Sequence, residues 1–159
     1  MRRSRRALAI TIVASALAAA SRPPSTPAGS PLSALAGTWR GSADVGVKWT
    51  TARTLTVELT IDTLQRVRGH VGDAELLNGI LRPNAGFMAR AIGRKPELIV
   101  EGDLKGPVIA SEEVRRGQVT IPLDQHDGHL VGSLATSGSD NGIPEQMVLT
   151  AAGLVLQRK

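Results

Sequence analysis

The sequence predicts an all-β domain, a closed or nearly closed antiparallel up-and-down β-barrel of about eight to ten strands. Three observations lead to this fold class. From residue 35 onward, apolar and polar residues alternate with a period of two, which is typical of half-buried strands. Short turn signals separate the apolar segments. No long stretch after residue 35 follows the helical period of about 3.6 residues.

The start of the chain has the composition of an export signal. An arginine-rich segment precedes an apolar run at residues 7–20, which ends in small residues suited to cleavage before Ser21. This order is typical of a secretory signal peptide. We therefore expect residues 1–20 to be a signal and the protein to be periplasmic or secreted; the alternative is an uncleaved signal anchor. The pair Arg5-Arg6 also resembles a twin-arginine export signal.

Residues 21–34 are rich in proline and serine, which predicts an extended linker, and residues 35–159 form the barrel domain. The chain has no Cys, so neither disulfides nor a lipid-bearing Cys can contribute. After signal removal we expect no integral membrane span.

The net charge of +5 mostly reflects the leader, because its arginines precede the first acidic residue, Asp44. The aromatic residues are two Trp and one Phe, too few for stacking on bases. Charge and composition therefore argue against nucleic acid as a partner.

The predicted elements follow from the alternation in chain order. After the opening strand at residue 35, strands are predicted at 54–62, 66–71, 80–81, 87–92, 97–104, 108–110, 118–123, 129–135, 146–150 and 154–158. Turns are predicted at Asn78-Gly79, at residues 83–86 and, as a hairpin, at Asp127-Gly128. Residues 112–116 fit either one helical turn or a charged loop. Apolar-x-Gly-x-apolar segments around Gly69, Gly102 and Gly132 predict strands that bend at glycine.

The opening strand carries Trp39 between Gly37 and Gly41, and all three lie on one face of a strand. This pattern resembles the Gly-x-Trp start of lipocalin-like (calycin-type) secreted bacterial β-barrels. The resemblance implies that Trp39 closes one end of the barrel and that Arg158, near the last strand, lies over it. The alternative is a core Trp in another β-sandwich.

The apolar faces of the strands must turn inward in a closed barrel, and few aromatic residues are available to fill the interior. We therefore predict an apolar pocket, with Trp49 at its mouth by resemblance to lipocalin-like barrels. The alternative is that Val47 and Trp49 simply face the core. The predicted ligand-binding residues are Trp49, Leu55, Val57, Leu59, Val67, Val100, Leu130 and Leu134.

The densest polar cluster is residues 124–129, which contains Asp124, His126, Asp127 and His129. Two His and two carboxylates can ligate a metal, but the same residues suit a solvated hairpin turn. We predict no metal site, no cofactor and no catalytic residues. A nucleophile-elbow motif is absent and no Cys nucleophile exists.

These observations predict an exported, non-catalytic binding protein whose partner is a small apolar or amphipathic molecule. One alternative is an envelope protein-interaction or enzyme-inhibitor module that presents a loop to a protein partner. Another is a hydrolase or isomerase built on the barrel; the sequence leaves enzymatic activity open and favours its absence.

Overall fold

A computed structural model describes residues 31–84, 96–138 and 148–159. Within these residues, two short 3-10 helices span Pro31–Leu35 and Ala110–Glu112. The strands in chain order are Gly37–Val45 (β1), Thr54–Ile61 (β2), Arg66–Val71 (β3), Ala74–Pro83 (β4), Leu98–Lys105 (β5), Pro107–Ile109 (β6), Val114–Arg115 (β7), Gln118–His126 (β8), His129–Ser137 (β9) and Val148–Arg158 (β10).

The strands form a closed antiparallel barrel in the order β1-β10-β9-β8-β5-β4-β3-β2. Strands adjacent in the barrel are consecutive in the chain, except that β1 meets β10 at the seam and β5 is followed by β8. Strands β6 and β7 form a separate two-stranded sheet inside the connection from β5 to β8. The predicted fold class is confirmed, and closure leaves the barrel without an unpaired edge.

The interior follows from the period of two. In β2, Leu55, Val57 and Leu59 are buried while Thr54 and Thr56 are exposed. The same alternation in the other barrel strands directs aliphatic side chains into a single core. This core is the main source of stability for a domain that has no disulfide.

Two of the recurring glycines lie where neighbouring strand backbones come very close. A Cβ atom at Gly132 would lie 2.0 Å from the carbonyl oxygen of Pro122, and one at Gly69 would lie 1.8 Å from that of Glu58. A side chain at either position would push the adjacent strand away. Glycine therefore permits the sharp local curvature that a small closed barrel needs.

The turn predicted at Asn78-Gly79 is wrong, because both residues lie inside the continuous strand β4. The register between β4 and β5 shifts between Leu77 and Ile80, and Asn78 has a φ of 52°. Asn and Gly tolerate this left-handed conformation in a β-bulge as readily as in a hairpin turn. The local signal was real, but it marks a bulge.

The end of the chain is also more continuous than predicted. Strand β10 includes the segment between the two strands expected at 146–150 and 154–158. Its register with β9 shifts between Ala151 and Leu154, and Gly153 has a φ of 65°. A second bulge thus replaces the expected break.

One end of the barrel, which we call the Trp39 end, is closed by side-chain contacts. Trp39 is 3% exposed, and its indole Nε1–H donates a hydrogen bond of 2.8 Å to the carbonyl oxygen of Leu35. The guanidinium carbon of Arg158 lies 5.8 Å from the centroid of the Trp39 ring, within the range of a cation–π contact. Arg158 also donates a hydrogen bond to the carbonyl oxygen of Ala36. Arg158 therefore lies over the Trp39 ring at this end of the barrel.

The linker predicted at residues 21–34 overlaps the first described element of the structure. Residues 31–34 belong to the 3-10 helix Pro31–Leu35, and Leu32 is buried against the core. Burial of Leu32 and Leu35 outweighs the extended preference of the proline-rich composition. The signal at residues 1–20, the rest of the linker and the strand predicted at 87–92 lie outside the described residues.

The close approach at Gly132 predicts a specific loss of stability. Gly132→Ala should lower the free energy of unfolding by about 1–3 kcal/mol, because the new methyl group overpacks against Pro122. Urea unfolding followed by Trp fluorescence measures this change. Gly117→Ala is the control: its Cβ would lie 3.7 Å from the Ser137 carbonyl oxygen, an ordinary contact. Equal stabilities of the two variants would contradict the packing argument.

Candidate functional site

Among the described residues, two connecting segments cover the end of the barrel opposite Trp39. Residues 46–53 join β1 to β2, and residues 106–117 join β5 to β8 and contain β6 and β7. We call these two segments the cover. Antiparallel pairing places both segments at the same end, because β1 and β5 run in the same direction along the barrel axis.

Polar contacts link the cover to itself and to the short turn between β3 and β4. The backbone N–H and the hydroxyl of Thr51 both donate to Glu112, the former over 2.9 Å. Asp73, in the turn, donates its N–H to the carbonyl oxygen of Val108 over 3.0 Å. Its carboxylate accepts the N–H of Ala110 over 2.9 Å.

Backbone hydrogen bonds from Gly46 to Thr150 and from Gly117 to Ser137 also join the cover to the barrel. Polar loop contacts and the buried side chains of Val108 and Ile109 therefore hold the cover in place.

The carboxylate of Glu112 is stabilised in its charged form by this arrangement. Hydrogen bonds from the hydroxyls of Thr50 and Thr51 lower the pKa of Glu112 below its usual value. A folded-state pKa below the unfolded value means that the contact contributes above the unfolded pKa and is lost as the pH falls through the folded one.

Trp49 and Arg116 meet within the cover. The guanidinium carbon of Arg116 lies 4.8 Å from the centroid of the Trp49 ring. Trp49 is half-buried and packs against the hydrophobic core. Arg116 is 4% exposed, which is exceptional for an arginine. The predicted location of Trp49 near one barrel end therefore coincides with a buried cation that the sequence analysis did not single out.

The guanidinium of Arg116 is only partly satisfied. Its Nη1 donates to the carbonyl oxygen of Arg115. Its Nε and Nη2 are buried and have no hydrogen-bond partner among the described residues. Burial lowers the pKa of Arg116, yet an arginine stays charged at any physiological pH. Desolvating an ion without a counter-charge costs on the order of several kcal/mol.

The seven aliphatic residues predicted to bind a ligand lie together in the barrel core. They are between 0% and 4% exposed and come from β2, β3, β5 and β9: Leu55, Val57, Leu59, Val67, Val100, Leu130 and Leu134. They pack in one aliphatic cluster with the remaining inward-facing side chains. Within the described residues this cluster brings no carboxylate or imidazole into the interior.

The hollows that the described residues line are found at the surface. One of about 510 Å³ lies on the outer face of β2, β3 and β4 beside Arg68 and Glu75. A smaller one of about 190 Å³ borders the cover, between Leu55, Gly72 and Val108. Leu55 is the one predicted ligand-binding residue that lines this smaller hollow. The interior pocket itself stays a prediction.

The polar cluster at residues 124–129 lies at the Trp39 end, remote from the cover. Asp127 and Gly128 form the predicted hairpin turn, with φ values of 48° and 79°. The imidazole Nε2 of His126 lies 3.1 Å from the Asp127 carboxylate, and both side chains are largely exposed. Across the described residues, no group of three or more His, Asp or Glu side chains is arranged to hold a metal ion.

Arg116 carried no sequence signal that separates it from Arg115. Both lie in the charged segment 112–116, and only the path of β7 turns Arg115 outward and buries Arg116. Long-range packing of the cover decides which of the two is desolvated. A pattern based on local alternation therefore could not have found it.

No family model, curated protein or solved structure matches this chain. The description of the protein as a closed antiparallel β-barrel with one covered end therefore comes from its own residues. None of the helices in the described residues is long and apolar enough to cross a membrane.

The Thr51–Glu112 contact predicts that acid loosens the cover. Quenching of Trp49 by acrylamide should increase as the pH falls below the usual glutamate pKa of about 4.3, because protonated Glu112 is a weaker acceptor. Trp39 is buried at the other end and contributes little to quenching. Far-UV circular dichroism separates loosening from global unfolding.

In Glu112→Gln the quenching should be higher at neutral pH and should lose this pH dependence. Glu113→Gln, a change at the exposed neighbouring carboxylate, is the matched control and should behave like the parent. An unchanged pH profile in Glu112→Gln would show that this contact does not hold the cover.

Proposed function

We propose that the chain is an exported, non-catalytic binding protein that takes a small apolar or amphipathic molecule at the covered end of its barrel. The observation that carries this proposal is the contrast between an aliphatic interior and a cover held by loop contacts. Apolar walls with a few polar groups at the entrance are typical of small-molecule sites.

The cover provides the route of entry. Displacing it breaks the contacts of Thr51 with Glu112 and of Asp73 with Ala110. It also exposes the buried side chains of Val108 and Ile109, but it leaves the barrel strands paired. The hollow beside Leu55 and Val108 already opens the rim of the barrel at this point. An apolar molecule that enters here meets the predicted ligand-binding side chains after a local rearrangement of the core.

The chemistry of the described residues supports binding rather than catalysis. A hydrolase or isomerase on this barrel would need a base within reach of a nucleophile or substrate proton. His70 and His126 are exposed on the outside of the barrel. His126 and the half-buried His129 both contact Asp127 in a solvated turn, the former its carboxylate and the latter its carbonyl oxygen. In the described part of the chain, the buried polar residues are Thr50, Arg116 and Thr136.

The packed core favours one second candidate, an envelope protein-interaction or enzyme-inhibitor module. In that case the interior serves stability alone, and a partner protein contacts the outside of the barrel. The hollow beside Arg68 and Glu75 and the exposed side chain of Ile80 on β4 are features that such a partner can use.

The export part of the proposal predicts cleavage between Ala20 and Ser21. Mass spectrometry of the full chain expressed in a bacterium should give a mature product that begins at Ser21. Ala20→Arg should block cleavage, whereas Ser21→Ala should not. An exported product that retains Met1 would contradict the signal assignment.

Binding itself is tested with an environment-sensitive apolar fluorophore. The parent protein should show saturable emission enhancement together with quenching of Trp emission. In Trp49→Phe the emission enhancement should persist, while the Trp signal, now from buried Trp39 alone, should no longer respond.

Two further variants locate the fluorophore. Leu59→Ala opens space in the core and should change its affinity, because Leu59 is fully buried. Ile80→Ala removes an exposed apolar side chain on the outer face and should have no effect. Absence of saturable binding to the parent would reject the proposed function and favour the interaction module.

A further inference from the structure

We propose that the molecule bound at the cover is an amphipathic anion, whose oxyanion head group pairs with Arg116 while its apolar part lies beneath the cover. This inference rests on the proposed function and specifies the chemical class of the ligand. It begins with the buried and unpartnered nitrogens of Arg116.

The two unpartnered atoms, Nε and Nη2, lie along one edge of the planar guanidinium. That edge is one of the two on which arginine binds a carboxylate or phosphate through parallel hydrogen bonds. The remaining nitrogen, Nη1, is already engaged with the carbonyl oxygen of Arg115. The free donors of Arg116 thus match the geometry of a bidentate oxyanion.

The described acidic residues of the cover and its adjoining turn do not fill this edge. Glu112 accepts hydrogen bonds from Thr51, and Glu113 is exposed. Asp73 accepts the N–H of Ala110. No described carboxylate forms an ion pair with Arg116. The counter-charge that a buried guanidinium requires is therefore missing from this part of the chain.

Trp49 compensates Arg116 only in part. A cation over an indole face gains electrostatic energy from the ring, but this contact uses none of the N–H donors. Trp49 and Val114 at the same time extend the apolar core into the cover. A ligand with a charged head and an apolar chain would satisfy both features, the free N–H edge and the adjacent apolar surface.

Matched ligands test the head group. Decanoate, decyl phosphate and decanol share one chain length and differ in the head, and decyltrimethylammonium reverses the charge. At monomeric concentrations, calorimetry on the mature protein should give at least one anion that binds about tenfold or more tightly than decanol, as a charge-assisted bidentate contact predicts. The tighter of the two anions identifies the head group, and the cation should bind most weakly.

Three variants assign this preference to Arg116. Arg116→Gln should reduce the ratio of anion affinity to decanol affinity to about one, while decanol binding persists. Arg116→Lys should retain part of the ratio, because lysine keeps the charge but lacks the planar fork. Arg115→Gln, a change at the exposed neighbour, should leave the ratio unchanged.

Stability separates a binding residue from a purely structural one. Arg116→Met removes a desolvated charge and supplies apolar volume, so the melting temperature of the ligand-free protein should stay the same or rise. A structural cation–π contact with Trp49 predicts a lower melting temperature instead. Should these variants fail to fold, the side-chain Nε–H resonance of Arg116 in the parent provides the same test, because it should shift with the anions and not with decanol.

The outcomes distinguish the two proposals. Equal affinities for decanol and both anions would overturn the assignment of Arg116 and leave the binding function intact. No binding of any of these ligands, together with no binding of the apolar fluorophore, would reject the binding function itself. A preference for anions that survives in Arg116→Gln would place the anion elsewhere and would also overturn this inference.

Discussion

Pairing of β1 with β10 is the constraint on which the rest of the structure depends. This seam joins the first and last strands of the domain, with Trp39 opposite Arg158 and Gly41 opposite Leu156. A Cβ atom at Gly41 would lie 1.8 Å from the Val155 carbonyl oxygen, so the strands meet there without space for a side chain. Because the chain has no Cys, no disulfide holds the seam. Burial of the aliphatic interior must stabilise it, and an open seam would expose both strand edges and the core together.

The two ends of the closed barrel are held by different kinds of contact. At the Trp39 end, Trp39 donates a hydrogen bond to Leu35, the last residue of the first 3-10 helix, and Arg158 donates one to the adjoining Ala36. At the opposite end, loop contacts such as Thr51 with Glu112 hold the cover over the core. Opening at this end exposes Val108 and Ile109 of the cover but keeps the strand ladder of the barrel, so it costs less than separating barrel strands. This asymmetry is the reason that we assign the proposed binding to the cover.

The fold was predictable because its main determinant is local. Alternation in β2 identifies its buried residues, and Asp127-Gly128 identifies the hairpin between β8 and β9. Other features depend on residues that are distant in the chain. Asn78-Gly79 has the chemistry of a turn, and only pairing of β4 with both neighbours shows that it is a bulge. The 3-10 helix at Pro31–Leu35 likewise forms because Leu32 and Leu35 find a core to pack against.

The candidate site also depends on residues that are distant in the chain, which local sequence patterns do not reveal. Arg115 and Arg116 are identical neighbours, but one is exposed and the other is buried against Trp49. A core of aliphatic residues provides stability without such a group, and a buried charge without a partner opposes folding. A ligand that binds only the folded state and neutralises this charge would raise the free energy of unfolding. The buried charge of Arg116 thus lowers the stability of the free protein and raises its affinity for an anion. Such a trade between stability and affinity is expected at a binding site.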